Sequence, residues 1–157
     1  MLRITMLVIA LAWAPATASL AFDLTGTWEG KWSCKIFSFG EKSKESEKDS
    51  VMQITQTGDT IFVHLDAVDR YSGVAIADAA KPDKGMAGIA ACSTDNDLVE
   101  FAGWDEIVQW KVKTKPDKGK GSIKGSSVWS DPGQHIATCK YKYKRVDTAD
   151  PAVPGCP

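Results

Sequence analysis

Residues Gly26–Ile36, GTWEGKWSCKI, carry the clearest structural pattern in this sequence. Apolar and small residues fall on alternate positions, and threonine, glutamate, serine and lysine occupy the positions between them. A period of two residues is typical of a half-buried β-strand, because successive side chains point to opposite faces of a sheet. The stretch therefore predicts a first strand with one face on a core. Its inward residues are Trp28, Gly30, Trp32, Cys34 and Ile36.

The last periodic stretch, His135–Arg145, has the same pattern, with lysines at 140, 142 and 144 opposite in phase to the apolar residues. Between the two stretches, alternating segments are separated by turn residues such as Gly58-Asp59, and no helical period is found. We therefore predict an all-β fold, an antiparallel up-and-down β-barrel of about eight strands. Closure of the sheet would place the first strand beside the last.

Three segments between the clear strands carry weaker predictions. The charged run Glu41–Ser50 predicts a solvated loop, and Leu98–Ala102 predicts a short strand. The pentapeptide KPDKG occurs at Lys81–Gly85 and at Lys115–Gly119. Proline, aspartate and glycine in this order favour a tight turn, so we expect two similar hairpin turns.

The amino-terminal residues predict export. Arg3 precedes an apolar run, Ile4–Trp13, and small residues follow up to Ala21, which is typical of a signal peptide. We expect a signal peptide at 1–21, a barrel domain at 22–146 and a proline-rich tail at 147–157. The protein would then be periplasmic or extracellular, and no other stretch has transmembrane length.

The four cysteines of an exported chain predict two disulfides, and the sequence alone allows three pairings. Barrel closure favours Cys34 with Cys139, because both lie on inward faces of strands that would become neighbours. Cys92 and Cys156 then pair and fasten the tail. No CxxC motif or Cys/His cluster is present, so we expect no metal and no cofactor.

The opening segment Leu24–Gly30, LTGTWEG, resembles the start of lipocalin-like barrels, the calycin group. Lipocalins carry a G-x-W signature in the first strand, which matches Gly26-Thr27-Trp28. The resemblance implies that a basic residue at the end of the last strand, here Arg145, packs across Trp28 as a structural pair. Avidin-like barrels open with a similar segment, and bacterial periplasmic inhibitors of secreted metalloproteases are small barrels of the same general group.

The aromatic residues give the first hypothesis for function, a binding protein for a small, partly apolar ligand held inside the barrel. The small residues Gly85, Ala87, Ala91, Gly121 and Gly125 would leave room for it. Simple core packing is the alternative explanation of the same aromatic residues. The proposed ligand-binding residues are Trp32, Trp110, Trp129, Tyr141 and Tyr143.

The second hypothesis is a protein-binding module, such as an inhibitor of an exported protease. The contact would then lie on the amino-terminal segment or a hairpin tip, and the barrel would be solid. The volume of the interior separates the two hypotheses, since a void beyond ~300 Å³ favours a small ligand and a packed interior favours a protein partner.

No catalytic motif is present, and we expect the protein not to be an enzyme. His64 and His135 lie in alternating strands without a partner motif, and no serine stands in a G-x-S-x-G elbow. Asp95–Asp97 with Glu100 lacks the spacing of a calcium loop and predicts a turn.

The charge distribution excludes a global basic field for nucleic acid, because the formal net charge is −1. A single basic stretch runs from Lys111 to Lys124. It could meet anionic lipid or polysaccharide, but the favoured explanation is a solvated outer face that blocks edge pairing.

Overall fold

A computed structural model describes residues 22–92, 105–115, 118–130 and 135–156. Within these ranges the chain forms a closed antiparallel barrel in which strands pair in sequence order, so the predicted all-β, up-and-down barrel is confirmed. The predicted signal peptide and the predicted strand Leu98–Ala102 lie outside the described residues. The strands are β1 (Gly26–Ser38), β2 (Glu41–Thr57), β3 (Thr60–Leu65), β4 (Asp69–Asp78), β5 (Lys81–Ala91), β6 (Asp105–Lys115), β7 (Lys120–Ser130) and β8 (His135–Asp147).

Closure occurs between β1 and β8, which pair along their whole lengths. Cys34 lies directly opposite Cys139, and a disulfide joins them. A second disulfide joins Cys92 to Cys156. Both preferred pairings are therefore present in the structure.

The period of two residues defines the inside of the barrel. In β8, Tyr141 and Tyr143 are buried, whereas the lysines between and beside them are exposed. In β6, Trp110 is buried between exposed Gln109 and Lys111. Alternation in the sequence thus becomes the division between core and surface, because each pleated strand turns every second side chain inward.

The charged run Glu41–Ser50 is a strand and not the predicted loop. It forms the first half of β2 and pairs with β1 from Ser38 back to Gly30. The prediction was wrong because it relied on apolar residues, whereas these residues are exposed up to Asp49 and are held by backbone pairing alone. Burial begins at Ser50, where the run joins the barrel wall.

The two KPDKG copies also differ from each other. The second copy lies at the β6–β7 turn, where Gly119 has a φ of 58°. The first copy lies within β5, because the turn closes earlier, at Ala79-Ala80, and Asp78 accepts a hydrogen bond from the Ala80 N–H. The ladder then passes from Ala77–Gly85 to Asp78–Lys81, so Pro82 lies in a β-bulge that tolerates its missing donor.

The tail crosses the outside of β2 and β3 without forming a strand. The Thr55 hydroxyl donates to Asp150 Oδ1 at 2.6 Å and accepts the Val153 N–H at 2.8 Å. Val153 is buried on this surface. The disulfide at Cys156 then fastens the tail to the end of β5.

The barrel has two different ends. The closed end is the one at which the chain enters, where Phe22, Leu24 and Trp28 are buried. The rim is the opposite end, marked by the turns at Phe39-Gly40 and Asp66–Val68. The rim is uneven, because β3 pairs with β2 only from Met52 onward and the first half of β2 extends beyond it.

Candidate functional site

Trp28 and Arg145 close one end of the barrel. The Arg145 guanidinium lies 4.7 Å from the centroid of the Trp28 ring and donates a hydrogen bond to the Asp23 carbonyl. The Trp28 indole N–H donates to the Leu24 carbonyl at 2.9 Å. Burial lowers the pKa of Arg145, and the Asp23 carboxylate opposes that shift. The pair has the contact that the lipocalin resemblance implies. Its hydrogen bonds go to the backbone carbonyls of Asp23 and Leu24, which indicates a structural role.

Trp110, Tyr141 and Tyr143, three of the residues expected to bind a ligand, are all buried in the core. The Tyr141 hydroxyl bonds the Ser127 hydroxyl at 3.0 Å, and the Tyr143 hydroxyl bonds the Ser50 hydroxyl at 2.7 Å. Burial raises the pKa of Tyr143 to about 12. The polar groups expected to meet a ligand are thus used within the protein. The side chain of Trp129 lies outside the described residues.

The glycines that were expected to leave room are covered by aromatic rings. A Cβ at Gly121 would lie 2.6 Å from the ring of Trp28, and a Cβ at Gly125 would lie 2.4 Å from that of Trp110. At Gly85 the ring of Phe22 would be 2.4 Å away. The missing side chains therefore admit bulky rings, as glycines do in strongly curved sheets, and they do not form a cavity.

A void lined by described residues inside the barrel has a volume of about 10 Å³. It lies beside Trp110, Tyr71 and Tyr141. The Trp110 indole N–H has no hydrogen-bond partner among the described residues. A void of this size holds at most one water molecule, so it has no space for an organic ligand.

At the rim, Asp66 organises a polar network that the sequence analysis missed. Its carboxylate accepts hydrogen bonds from the Trp32 indole N–H at 3.2 Å, the Ser50 hydroxyl at 2.9 Å and the Val51 N–H at 2.7 Å. Since Ser50 also bonds Tyr143, the network runs from the rim into the core. The signal available in the sequence was an aspartate directly after an alternating strand, a residue type that favours turns. In the structure Asp66 lies in the turn after β3 with a φ of 50°.

The mouth of the barrel is a shallow depression of about 160 Å³ at the rim. Trp32 and Tyr141 line it together with Leu65, Tyr71 and the disulfide at Cys34. Two of the predicted ligand-binding residues therefore meet here. Trp110 and Tyr143 do not reach this depression.

The free edge of β2 is the other notable feature of the rim. Over Glu41–Asp49, β2 pairs with β1 on one side, and no described residue pairs with its other side. The carboxylate of Glu47 accepts the N–H groups of Lys48 and Asp49, at 2.6 and 3.1 Å. Backbone groups from Glu41 to Ser46 are left as an exposed strand edge.

No cluster of metal-binding side chains is found in the described part of the chain. It contains no group of three or more histidine, cysteine, aspartate or glutamate residues placed to hold a metal ion. Asp95–Asp97 and Glu100 lie outside the described residues. The Ser127 hydroxyl is buried against Tyr141 and has no histidine partner there.

Comparisons with known protein families, with curated proteins and with solved structures found no match. The two disulfides indicate an oxidising compartment. Within the described ranges, no helix is long and apolar enough to span a membrane.

Proposed function

We propose that this protein is an exported binding module, without catalysis, that holds a protein partner on the outside of its barrel. The observation that carries the proposal is the filled interior. Its enclosed void is about 10 Å³, whereas sites for small molecules occupy ~300 Å³ or more. Binding is therefore assigned to the rim and the outer surface.

The free edge of β2 provides the contact. An exposed strand edge binds an extended peptide by continuing the sheet, and the backbone hydrogen bonds supply affinity. The segment Glu41–Ser46 is long enough for such pairing and is already held straight by β1. The partner would contribute an extended segment that becomes a neighbour of β2.

The charges of β2 indicate the kind of segment that fits. Glu41 and Glu45 share the inward face, because they lie opposite Ser38 and Cys34. Lys42 and Lys44 occupy the outward face. A complementary strand would alternate basic and acidic side chains, whereas a second copy of β2 would oppose like charges and is disfavoured.

An inhibitor of an exported protease is one example of this class of protein-binding module. The closed up-and-down barrel and the contact between Trp28 and Arg145 support a lipocalin-like ancestry. We keep that family assignment as part of the proposal.

A photo-crosslinking residue at Ser43 tests the proposal in the mature protein. We expect it to capture one exported protein, and the same probe at Asp59, in the turn at the opposite end, to capture none. With that partner purified, Glu45→Lys should weaken binding by about tenfold, because it reverses a charge on the inward face. The matched reversal Asp59→Lys should leave affinity unchanged.

Hydrogen exchange decides whether the contact is strand pairing. The partner should slow exchange of the amides within Glu41–Ser46. If the partner binds but leaves these amides unprotected, and Glu45→Lys binds as well as Asp59→Lys, the edge is not the contact and the proposal fails.

A small, partly apolar ligand at the mouth is a second candidate, favoured by the meeting of Trp32 and Tyr141 in the 160 Å³ depression. Tryptophan fluorescence titrated with fatty acids, retinoids and haem tests it. A spectral shift that Trp32→Phe abolishes would support the mouth as a site, and an unchanged spectrum with every compound would remove this candidate.

A further inference from the structure

The outer surface of the barrel carries lysines at directly opposed positions on four neighbouring strands. Lys124 of β7 lies opposite Lys111 of β6 on one side and Lys142 of β8 on the other. Lys142 in turn lies opposite Lys31 of β1. All four are exposed. Opposed side chains point to the same face with Cβ atoms about 5 Å apart, so these residues form one line of positive charge, the lysine row.

The lysine row is widened along β8. Lys140, Lys142 and Lys144 occupy three successive outward positions of this strand, and all are exposed. Lys140 lies between Ser33 of β1 and Ser126 of β7. A line of hydroxyl groups and one ammonium therefore runs parallel to the lysine row.

This surface is concave. A groove of about 790 Å³ follows the outer face of β2, β1, β8 and β7. Glu47 is the only carboxylate among the described residues that line it, and one of its oxygens already accepts the Lys48 and Asp49 N–H groups. The lysines of the groove are Lys31, Lys44, Lys48, Lys124, Lys140 and Lys142.

The lysine row is not a consequence of composition. The whole chain has a formal net charge of −1, yet the four lysines of the row lie directly opposite one another. Beside the row, Glu29 of β1 lies opposite Lys144. Like charges placed directly opposite each other destabilise a sheet. If the lysines served only solubility, we would expect them to be interspersed with acidic residues. They are also not needed to protect a sheet edge, because β7 and β8 are paired with neighbouring strands on both sides.

We propose that the lysine row and its groove bind an acidic polysaccharide, a linear chain of sugars that carry carboxylates. Successive anions would pair with lysines of successive strands, and Ser33 and Ser126 would exchange hydrogen bonds with sugar hydroxyls. Lysine suits this task, because its ammonium is a compact charge on a flexible stem and needs no fixed geometry. This inference does not depend on the proposed protein partner, which uses the free edge of β2.

Two other anionic partners fit less well. A bilayer is flat on this scale, whereas the lysines line a groove. Nucleic acid recognition favours arginine for bidentate contacts, and among the described residues the arginines are Arg70 and Arg145, which lie on β4 and inside the barrel. In an oxidising compartment outside the cytoplasm, an exported protein meets cell-surface polysaccharides more often than nucleic acid.

Alginate oligosaccharides, which are chains of uronates, serve as the probe, with neutral dextran as the control ligand. We expect the mature protein to bind alginate in low salt, to lose that binding in high salt, and to ignore dextran. Lys124→Glu with Lys142→Glu should weaken alginate binding by about tenfold or more. The matched pair Lys81→Glu with Lys118→Glu, at exposed positions off the groove, should change it by less than about twofold.

Hydrogen exchange on the unmodified protein provides a test that is independent of variant stability. Alginate should slow exchange in β8 around Lys140–Lys144 and leave β3, Thr60–Leu65, which lies off the groove, unchanged. The inference is overturned if alginate does not bind, if both lysine pairs weaken binding equally, or if vesicles of phosphatidylglycerol bind more tightly than alginate through the same lysines.

Discussion

Cys34 on β1 lies directly opposite Cys139 on β8, with the two Cα atoms 4.0 Å apart, and a disulfide joins them. The bond crosses the seam at which the first and last strands close the barrel. It also stands between the mouth and the packed aromatic core, because its sulfur atoms belong to the inward face. One covalent link therefore holds both the closure of the sheet and the floor of the rim.

Removal of this disulfide should reduce stability strongly. The bond closes a loop with a sequence separation of 105 residues, and the Cys92–Cys156 bond closes one of 64. Chain entropy gives an upper value of about 4–5 kcal/mol for such loops. Cys34→Ala with Cys139→Ala should lower the free energy of unfolding in urea by a few kcal/mol, somewhat more than Cys92→Ala with Cys156→Ala. Equal stability of all three proteins would contradict this.

A methyl group added under an aromatic ring should destabilise the core. In Gly125→Ala the new Cβ would lie 2.4 Å from the Trp110 ring and 2.2 Å from the Gln109 carbonyl oxygen. Overpacking of this kind costs about 1–3 kcal/mol. The matched control is Gly88→Ala, because a Cβ there meets nothing within 4 Å. Urea unfolding midpoints should fall for the first variant and stay level or rise slightly for the second.

Neutralising the middle of the lysine row should stabilise the protein. Lys142 faces Lys124 on one side and Lys31 on the other, so Lys142→Gln removes two repulsive pairs. We expect a gain of a few tenths of a kcal/mol in low salt that shrinks in 1 M NaCl. Lys118→Gln is the control, because Lys118 is exposed in the β6–β7 turn and belongs to no ladder pair. A thermal midpoint that falls for Lys142→Gln at low ionic strength would argue against repulsion in the row.

Alkaline pH should weaken the fold through Tyr143. Burial raises the pKa of this hydroxyl to about 12, above the ordinary value of 10.0. Above pH 10 the unfolded chain releases the proton more readily than the folded protein does, so stability is complete below pH 10 and declines toward pH 12. Ultraviolet titration should reveal a late-ionising step, and Tyr143→Phe should remove both that step and this part of the decline.

The first half of β2 illustrates which signal the sequence contained and how it was misinterpreted. In EKSKESEK the acidic residues favour odd positions and the lysines even positions, so the period of two was present in charge sign. Hydropathy alone cannot detect it, because neither face of this segment is buried. The strand forms because β1 offers a complete backbone ladder, which is a tertiary partner and not a local preference.

The interior illustrates the opposite case. The sequence placed Trp110, Tyr141 and Tyr143 on inward faces, and they are buried there. It could not decide between a cavity and a packed core, because Gly121 and Gly125 are compatible with both. Whether the core is packed depends on which aromatic ring reaches each glycine. The register and curvature of the sheet fix these contacts.

The residue order allowed three pairings of the four cysteines. It nevertheless predicted the alternating strands, the turn at Gly58-Asp59 and the closure that favours Cys34 with Cys139. These follow from the period of two residues and from the geometry of a closed sheet, both of which are local rules repeated along the chain. Three features came from the three-dimensional arrangement: aromatic rings fill the glycine positions, one edge of β2 is left unpaired by the described strands, and Lys111, Lys124, Lys142 and Lys31 come into line. Those features depend on how strands far apart in the sequence are aligned. The hydrogen-bond register sets this alignment, and the order of residues does not reveal it.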